Sequence, residues 1–423
     1  MVFYMEKKAP AMMRMFFLRF SLHVTAVTCF IPQTPFVIRH STVGSSKPTG
    51  TLTSTSTTPP RGIATGNAAP MTLFSLSSST IGAVGSKLTD SDLAMEALSK
   101  FLDSTEGITM EATSGGVNNI VQYITLPSGE RQLLRIYNNG LNAQRVKFEH
   151  EILRQLNEMP PFSFEVPKFI MSKDGTTMSR LSNGADACMC TLIPGELPKL
   201  TCVEDIGRAS GELNTALANV SIDPAMCNTA PYWKMWEVHH AVTRENFEAG
   251  MAGSAFDGDL RDVATRMTKE TLDIADKCEG TYQTLQTQLI HGDLHYDNVL
   301  VEDGKVTGLL DFEFASFDWR AMELAICLSK YAGEQPDAMP YFDAFIDGFA
   351  KTGELTKVEA EAIPDLINLR ILSNIVYFVG RAIAGEDDIS SITTRIANYE
   401  RRVKWVKDNG DAIVGRIVEK MGL

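Results

Sequence analysis

Apolar residues recur at helical spacing from about Thr89 onward. Leu93, Leu98 and the pair Phe101-Leu102 share one stripe, so a helix is expected there with Asp90 or Ser91 as its cap. The pattern then turns to alternation. Residues alternate up to Leu126 after the glycines Gly115 and Gly116, Pro127-Ser128-Gly129-Glu130 marks a turn, and 133–137 (LLRIY) reads as the returning strand of a hairpin. A helix is expected over 142–156, with Val146, Ile152, Leu153 and Leu156 inward. An apolar strand over 188–193 ends in Pro194-Gly195, a break suited to a hinge. From Val203 the pattern is mostly helical, with one strand-rich island over 289–314 and long helices expected over 364–384 and 389–418. This order predicts an α+β chain of two lobes, a small β-rich one over 90–195 and a larger helical one over 196–423.

Residues 1–89 follow a different rule. An apolar stretch over 15–31, interrupted by Arg19 and His23, precedes a run rich in Ser, Thr, Pro and Gly. Such a run has too little apolar surface to offset chain entropy. The segment reads as a targeting leader. It resembles the two-part leaders of algae with secondary plastids, a signal peptide followed by a transit peptide, with Phe30 at the first cleavage point. A plastid is the expected destination, with mitochondrion or cytoplasm as alternatives. No other stretch reads as long and apolar enough to span a bilayer, so no membrane is expected to hold the mature protein.

Charge sharpens this division. The whole chain has a formal net charge of -13, yet residues 1–89 contain eight Lys or Arg and one acid, Glu6. The remainder therefore carries 31 basic and 51 acidic residues, a net of -20. A body this acidic excludes general nucleic-acid binding and requires local charges or a metal to hold any anion. The seven cysteines are scattered without a CxxC pair, which indicates neither a zinc site nor a disulfide framework.

The chemistry concentrates in LIHGDLHYDNVLVEDGKVTGLLDFEF, residues 289–314. An apolar strand end delivers His291 and Asp293 into a loop, Asn298 opens the next strand, and the turn Glu302-Asp303-Gly304-Lys305 returns the chain to Asp311. Asp293, Asn298 and Asp311 are thereby gathered at one end of a short hairpin. These oxygen donors suit Mg²⁺ bound beside phosphates. In extended backbone, Glu313 would point the same way as Asp311 and supply a further metal contact. Phosphoryl transfer needs such a set: one carboxylate to orient and deprotonate an attacking hydroxyl, here Asp293, and an amide and a carboxylate for metal, here Asn298 and Asp311.

His291-Gly292-Asp293-Leu294-His295 with Asn298, followed by Asp311-Phe312-Glu313, resembles the aminoglycoside phosphotransferase, choline/ethanolamine kinase and homoserine kinase superfamily. The resemblance runs motif by motif over roughly 108–418, and the catalytic loop is its specific part. It implies a bilobal protein-kinase-like fold, ATP and Mg²⁺ as cofactors, and a small-molecule alcohol as substrate. Gly115, Gly116 and Asn119 stand where the family has its GGxxN nucleotide loop. Arg135 stands at the family's phosphate-contacting base, and Glu149 at the acid that pairs with it. Asp311-Phe312 is not followed by Gly, and no Ala-Pro-Glu segment comes after it, which argues against a protein kinase. Arg135 in place of Lys is a forked, permanently charged variation.

Asp318 and Trp319, just past the metal strand, are candidate substrate contacts, with capping and core packing as the alternatives. His295 and the pair His239-His240 have no spaced partners in sequence. The expected activity is ATP-dependent phosphorylation of a small-molecule hydroxyl. A specific homoserine or choline/ethanolamine kinase, or a nucleotide-binding pseudokinase scaffold, are the alternatives.

Overall fold

The computed structural model describes residues 89–113, 119–137, 143–333 and 337–423. The leader expected over 1–89, all but its last residue, and the loop glycines Gly115 and Gly116 lie outside the described residues. The first helix, α1 (Asp90–Phe101), is capped by Thr89, one residue before the expected cap. The Thr89 hydroxyl accepts from Asp92 N at 3.2 Å, and the Asp92 carboxylate accepts from Thr89 N at 2.9 Å. Satisfying two free N–H groups in this way stabilises a helix end by about 1 kcal/mol.

Strands β1 (Thr109–Ala112), β2 (Ile120–Thr125) and β3 (Arg131–Ile136) come next, then α2 (Ala143–Glu158), β4 (Phe169–Ile170), β5 (Ser179–Arg180) and β6 (Asp186–Thr191). They form one antiparallel sheet in the order β1-β2-β3-β6-β4, with β5 also on β6. Alternation along β3 decides what each face carries. Leu134 and Ile136 pack with Leu93, Ala97 and Leu98 of α1, while Arg135 points to the other face. Cys188 and Cys190 of β6 are buried beside Val146 and Tyr137. The cysteines among the described residues are all free.

At Gly195 (φ +128°) the chain leaves the sheet, and Glu196 exchanges backbone bonds of 3.0 and 2.9 Å with Val301. The helical region contains α3 (Val203–Leu217), α4 (Arg244–Met251) and α5 (Asp259–Glu279). It continues with strands β7 (Thr287–Ile290), β8 (Val299–Glu302), β9 (Lys305–Leu309) and β10 (Ser316–Trp319). Helices α6 (Arg320–Ser329), α7 (Met339–Phe349), α8 (Lys357–Ala384), α9 (Ser390–Thr393) and α10 (Ile396–Met421) complete it. The small antiparallel lobe and the helical lobe match the expected fold class.

Three expectations change. Helix α8 starts seven residues before Pro364, because Thr356 and Glu359 form a capping box and Pro364 is accommodated inside the helix. The helix expected over 389–418 is divided into α9 and α10. Helix α8 is also long and apolar enough, by length and composition, to cross a membrane, contrary to the expectation that no such stretch follows the leader. It packs against α5, α6 and α10, and Ile363, Ile367, Leu369 and Leu372 are buried. A helix with neighbours on several sides carries apolar residues on more than one face.

Candidate active site

Strand β7 ends at Ile290 and delivers a loop whose backbone is tied down at residues 291, 292 and 293. His291 is fully buried. Its N–H donates to Glu323 Oε2 at 2.5 Å, and its Nε2–H donates to the Leu310 carbonyl at 2.9 Å. Nδ1 is then left to accept from Asp293 N at 3.3 Å, which fixes the tautomer. Burial pushes the imidazole down to about 4, so it stays neutral and structural. Gly292 has φ +80°, and a Cβ there would lie 2.4 Å from the Phe314 carbonyl oxygen. Only glycine allows this close approach of the two loops. Its own carbonyl accepts from the Tyr232 hydroxyl at 2.9 Å.

Asp293 follows, with its side chain 17% exposed. Arg370 Nη2 of α8 donates to its Oδ1 at 2.9 Å, and His295 Nε2 lies 3.5 Å from Oδ2. Burial alone would raise the proton affinity of Asp293, but His295 and Arg370 outweigh it and hold the carboxyl well below the usual range. Asn298 Nδ2 donates to the Asp293 carbonyl at 2.9 Å, which leaves its Oδ1 as the acceptor atom. The β8–β9 hairpin then returns the chain, and Leu310 N donates to the Asn298 carbonyl at 2.9 Å. The two strand ends meet as the spacing required.

Asp311 adopts the left-handed conformation (φ +65°) and opens a short 3-10 turn over Phe312–Phe314. Extended backbone was the expected reason for Glu313 to join Asp311, and the structure replaces it. A sharp turn brings both carboxylates to one guanidinium instead. Arg135 Nη2 donates to Asp311 Oδ1 at 3.1 Å and to Glu313 Oε2 at 3.0 Å, and its Nη1 donates to Glu149 Oε1 at 2.8 Å. Asn119 Nδ2 donates to the same Glu313 oxygen at 3.1 Å. Strand β3, helix α2 and the 311–314 turn thus converge on Arg135, whose fork serves all three acids at once.

The donor set around Asp311 fits a hard divalent cation. It consists of carboxylate and amide oxygens, without His or Cys. Burial raises the proton affinity of Asp311; Arg135 opposes the rise, while the charges of Glu313 and Asp293 add to it. A crowd of like charges under partial burial is relieved by positive charge placed among them.

Asp318 and Trp319 do not reach the site, which corrects their candidacy as substrate contacts. They lie on β10, paired antiparallel with β7, where Asp318 is 0% and Trp319 2% exposed. Asp318 accepts from Tyr232 N at 2.5 Å and Trp319 N at 2.6 Å, and Trp319 packs on Trp233 and Tyr282. Glu323 is likewise sealed and holds the His291 N–H. His295 does have a partner, Asp293, through the fold. His239 and His240 meet Glu386, with His239 Nε2 3.3 Å from its carboxylate and Arg381 on the same oxygen at 3.2 Å. The sequence reading missed Arg370 and Tyr232. The signal for Arg370 was a lone cation within the apolar run LINLRILSNIVYF, a costly placement unless it is paired.

The buried acids carry a pH dependence. Burial pushes Glu323 up to about 7 from its ordinary 4.5, and its Oε1 is buried without a hydrogen-bond partner. A carboxyl raised on folding contributes stability that is complete below its unfolded value and is lost as pH rises through the folded one. Wild-type protein is therefore expected to gain about 1 kcal/mol from this group between pH 8 and pH 6, or about 2 °C in Tm. Glu323→Gln should remove that increment. Thermal melts of both proteins at the two pH values check it, and equal increments would remove Glu323 as its source.

The profile of the phosphotransferase enzyme family matches residues 109–359. A homoserine kinase of Nitrobacter winogradskyi is 27% identical over 344 residues, 77% of this chain and 98% of that one. A homoserine kinase of Zymomonas mobilis subsp. mobilis is 26% identical over 276 residues, 63% of this chain and 80% of that one. Among solved structures, a microcompartment-associated aminopropanol kinase superposes with a TM-score of 0.56 at 14% identity, covering 77% of this chain and 99% of that one. At that identity the likeness is one of fold.

Proposed function

We propose a specific reaction from a plain premise: this chain belongs to the phosphotransferase enzyme family. It is a kinase that phosphorylates a hydroxyl group of a small molecule. The proposed phosphoryl donor is ATP with Mg²⁺, and the proposed acceptor is L-homoserine or a close hydroxy amino acid. The single observation that carries the substrate is the alignment with a homoserine kinase along 98% of that enzyme's length.

In this reading Asp293 orients the attacking hydroxyl and accepts its proton. Its depressed proton affinity suits a group that positions first and takes the proton late, after most of the bond to phosphorus has formed. Arg135 would contact phosphate, positioned for it by Glu149. Asn298 and Asp311, with Glu313, would hold Mg²⁺, which when bound neutralises charge on the transferring phosphoryl group. Glu323 and Asn298 keep the loop rigid through the His291 N–H and the Asp293 carbonyl. Positioning of this kind supplies most of the acceleration in phosphoryl transfer.

ADP release measured across L-homoserine, L-serine, choline, ethanolamine and 3-amino-1-propanol tests the substrate. L-Homoserine is expected to give the highest kcat/KM, by about 10-fold or more over choline. A preference for choline or ethanolamine would overturn the homoserine reading, and transfer to a peptide would overturn the small-molecule one.

A further inference from the structure

Arg370 enters the site from α8, 77 residues beyond Asp293 in the chain. It makes one bond to Asp293 Oδ1 at 2.9 Å, although a guanidinium and a carboxylate can share two. Its Nη1 donates to Asn374 Oδ1, one turn further along the helix, at 2.8 Å. Its Nε is buried without a partner. The guanidinium carbon lies 5.3 Å from the centroid of the Tyr232 ring, whose hydroxyl is tied to Gly292. A guanidinium offers five N–H groups and does not lose its charge. With Nε sealed, the contacts above leave the second N–H of each terminal nitrogen for a ligand, directly beside the acid proposed to meet the substrate hydroxyl, and the side chain is still 15% exposed.

Charge elsewhere makes this position distinctive. The body outside residues 1–89 carries a net of -20, so an anionic alcohol gains nothing from the general field of the protein and needs a local cation. Arg135 already serves Glu149, Asp311 and Glu313, and Arg145 donates its Nε to the Glu313 carbonyl at 2.8 Å. Both are thus engaged by Glu149 and the 311–314 turn. Arg370 instead reaches Asp293 directly, from helix α8.

We propose that Arg370 binds the carboxylate of the acceptor and thereby selects hydroxy acids over alcohols that lack a carboxylate. The inference deepens the small-molecule kinase reading and rests on it. One N–H of Arg370 keeps Asp293 in place while others take the substrate carboxylate. A single planar group thus sets the spacing between the substrate's acid end and the carboxylate that receives its hydroxyl. Tyr232 and Asn374 keep the guanidinium plane from swinging away.

Matched pairs of alcohols test this: L-homoserine against 3-amino-1-propanol, and L-serine against ethanolamine, each pair differing by a carboxylate. Wild-type enzyme is expected to favour the carboxylate-bearing member by about 100-fold in kcat/KM. Arg370→Gln should bring the ratio to about 10-fold or less, mainly through a higher KM for the acid, and Arg370→Lys should fall between, because it keeps the charge and loses the fork. Any general damage to the loop lowers both members of a pair and leaves the ratio unchanged. Where a variant turns over too slowly, the same ratio is read from equilibrium dissociation constants by calorimetry in the presence of a non-hydrolysable ATP analogue. An unchanged ratio in Arg370→Gln, or a wild-type preference for the carboxylate-free member, overturns the inference and leaves the kinase assignment standing. Absence of ADP release with every alcohol would instead strike the proposed reaction itself.

Discussion

Replacing Asp293 with Asn is expected to lower kcat by about 1,000-fold and to leave nucleotide affinity within about 3-fold of wild type. Asn has nearly the shape of Asp, so the loop keeps its main support. The Asn298 bond goes to the backbone carbonyl of residue 293, not to its side chain, and survives the change. What is lost is the negative charge between Arg370 and His295, and with it, under the proposed role, the acceptor for the substrate proton. Asp293→Ala should be equally inactive but less stable, because it leaves the largely buried Arg370 without its counter-charge. Stopped turnover with retained binding of an ATP analogue, measured by calorimetry, separates a lost acceptor from a lost fold. Activity within about 10-fold of wild type would remove Asp293 from the role.

Asp293, Asn298 and Asp311 were legible in sequence because their placement is local. A strand end, a five-residue step and a tight hairpin are short-range geometry, and spacing alone fixes them. Glu313 lies beside Asp311, but not through extended backbone: Asp311 takes a left-handed turn that no pattern of apolar residues announces, and Arg135 from the other lobe holds the pair. Asp318 and Trp319 show the opposite failure. Their nearness to Asp311 in sequence suggested the site, but β10 pairs with β7 and carries both into the core. Arg370 stood out in sequence only as a lone cation in an apolar run, and its pairing with Asp293 is entirely tertiary. Helix α8 itself was read late, since Pro364 imitates a helix start where the real start is the Thr356 capping box.

Asp311→Asn is expected to lower kcat/KM by about 1,000-fold, and the loss should travel with the metal. The structure gives Asp311 two neighbours of its own sign, Glu313 and Asp293, and one of opposite sign, Arg135. With Asn at 311, Arg135 retains Glu149 and Glu313, so the bridge between the lobes persists while one anionic donor disappears. An amide is a weaker ligand for Mg²⁺ than a carboxylate, since it brings a dipole in place of a charge. Under the proposed role, the Mg²⁺ concentration giving half-maximal activity should rise about 10-fold or more. Calorimetry supplies a readout that does not depend on turnover. In wild type, Mg²⁺ should tighten binding of an ATP analogue, and in Asp311→Asn most of that tightening should vanish while metal-free binding improves slightly, because one negative charge facing the phosphates is gone. The same Mg²⁺ response in both proteins would mean that Asp311 serves Arg135 alone, and the metal would then have to be held by other residues.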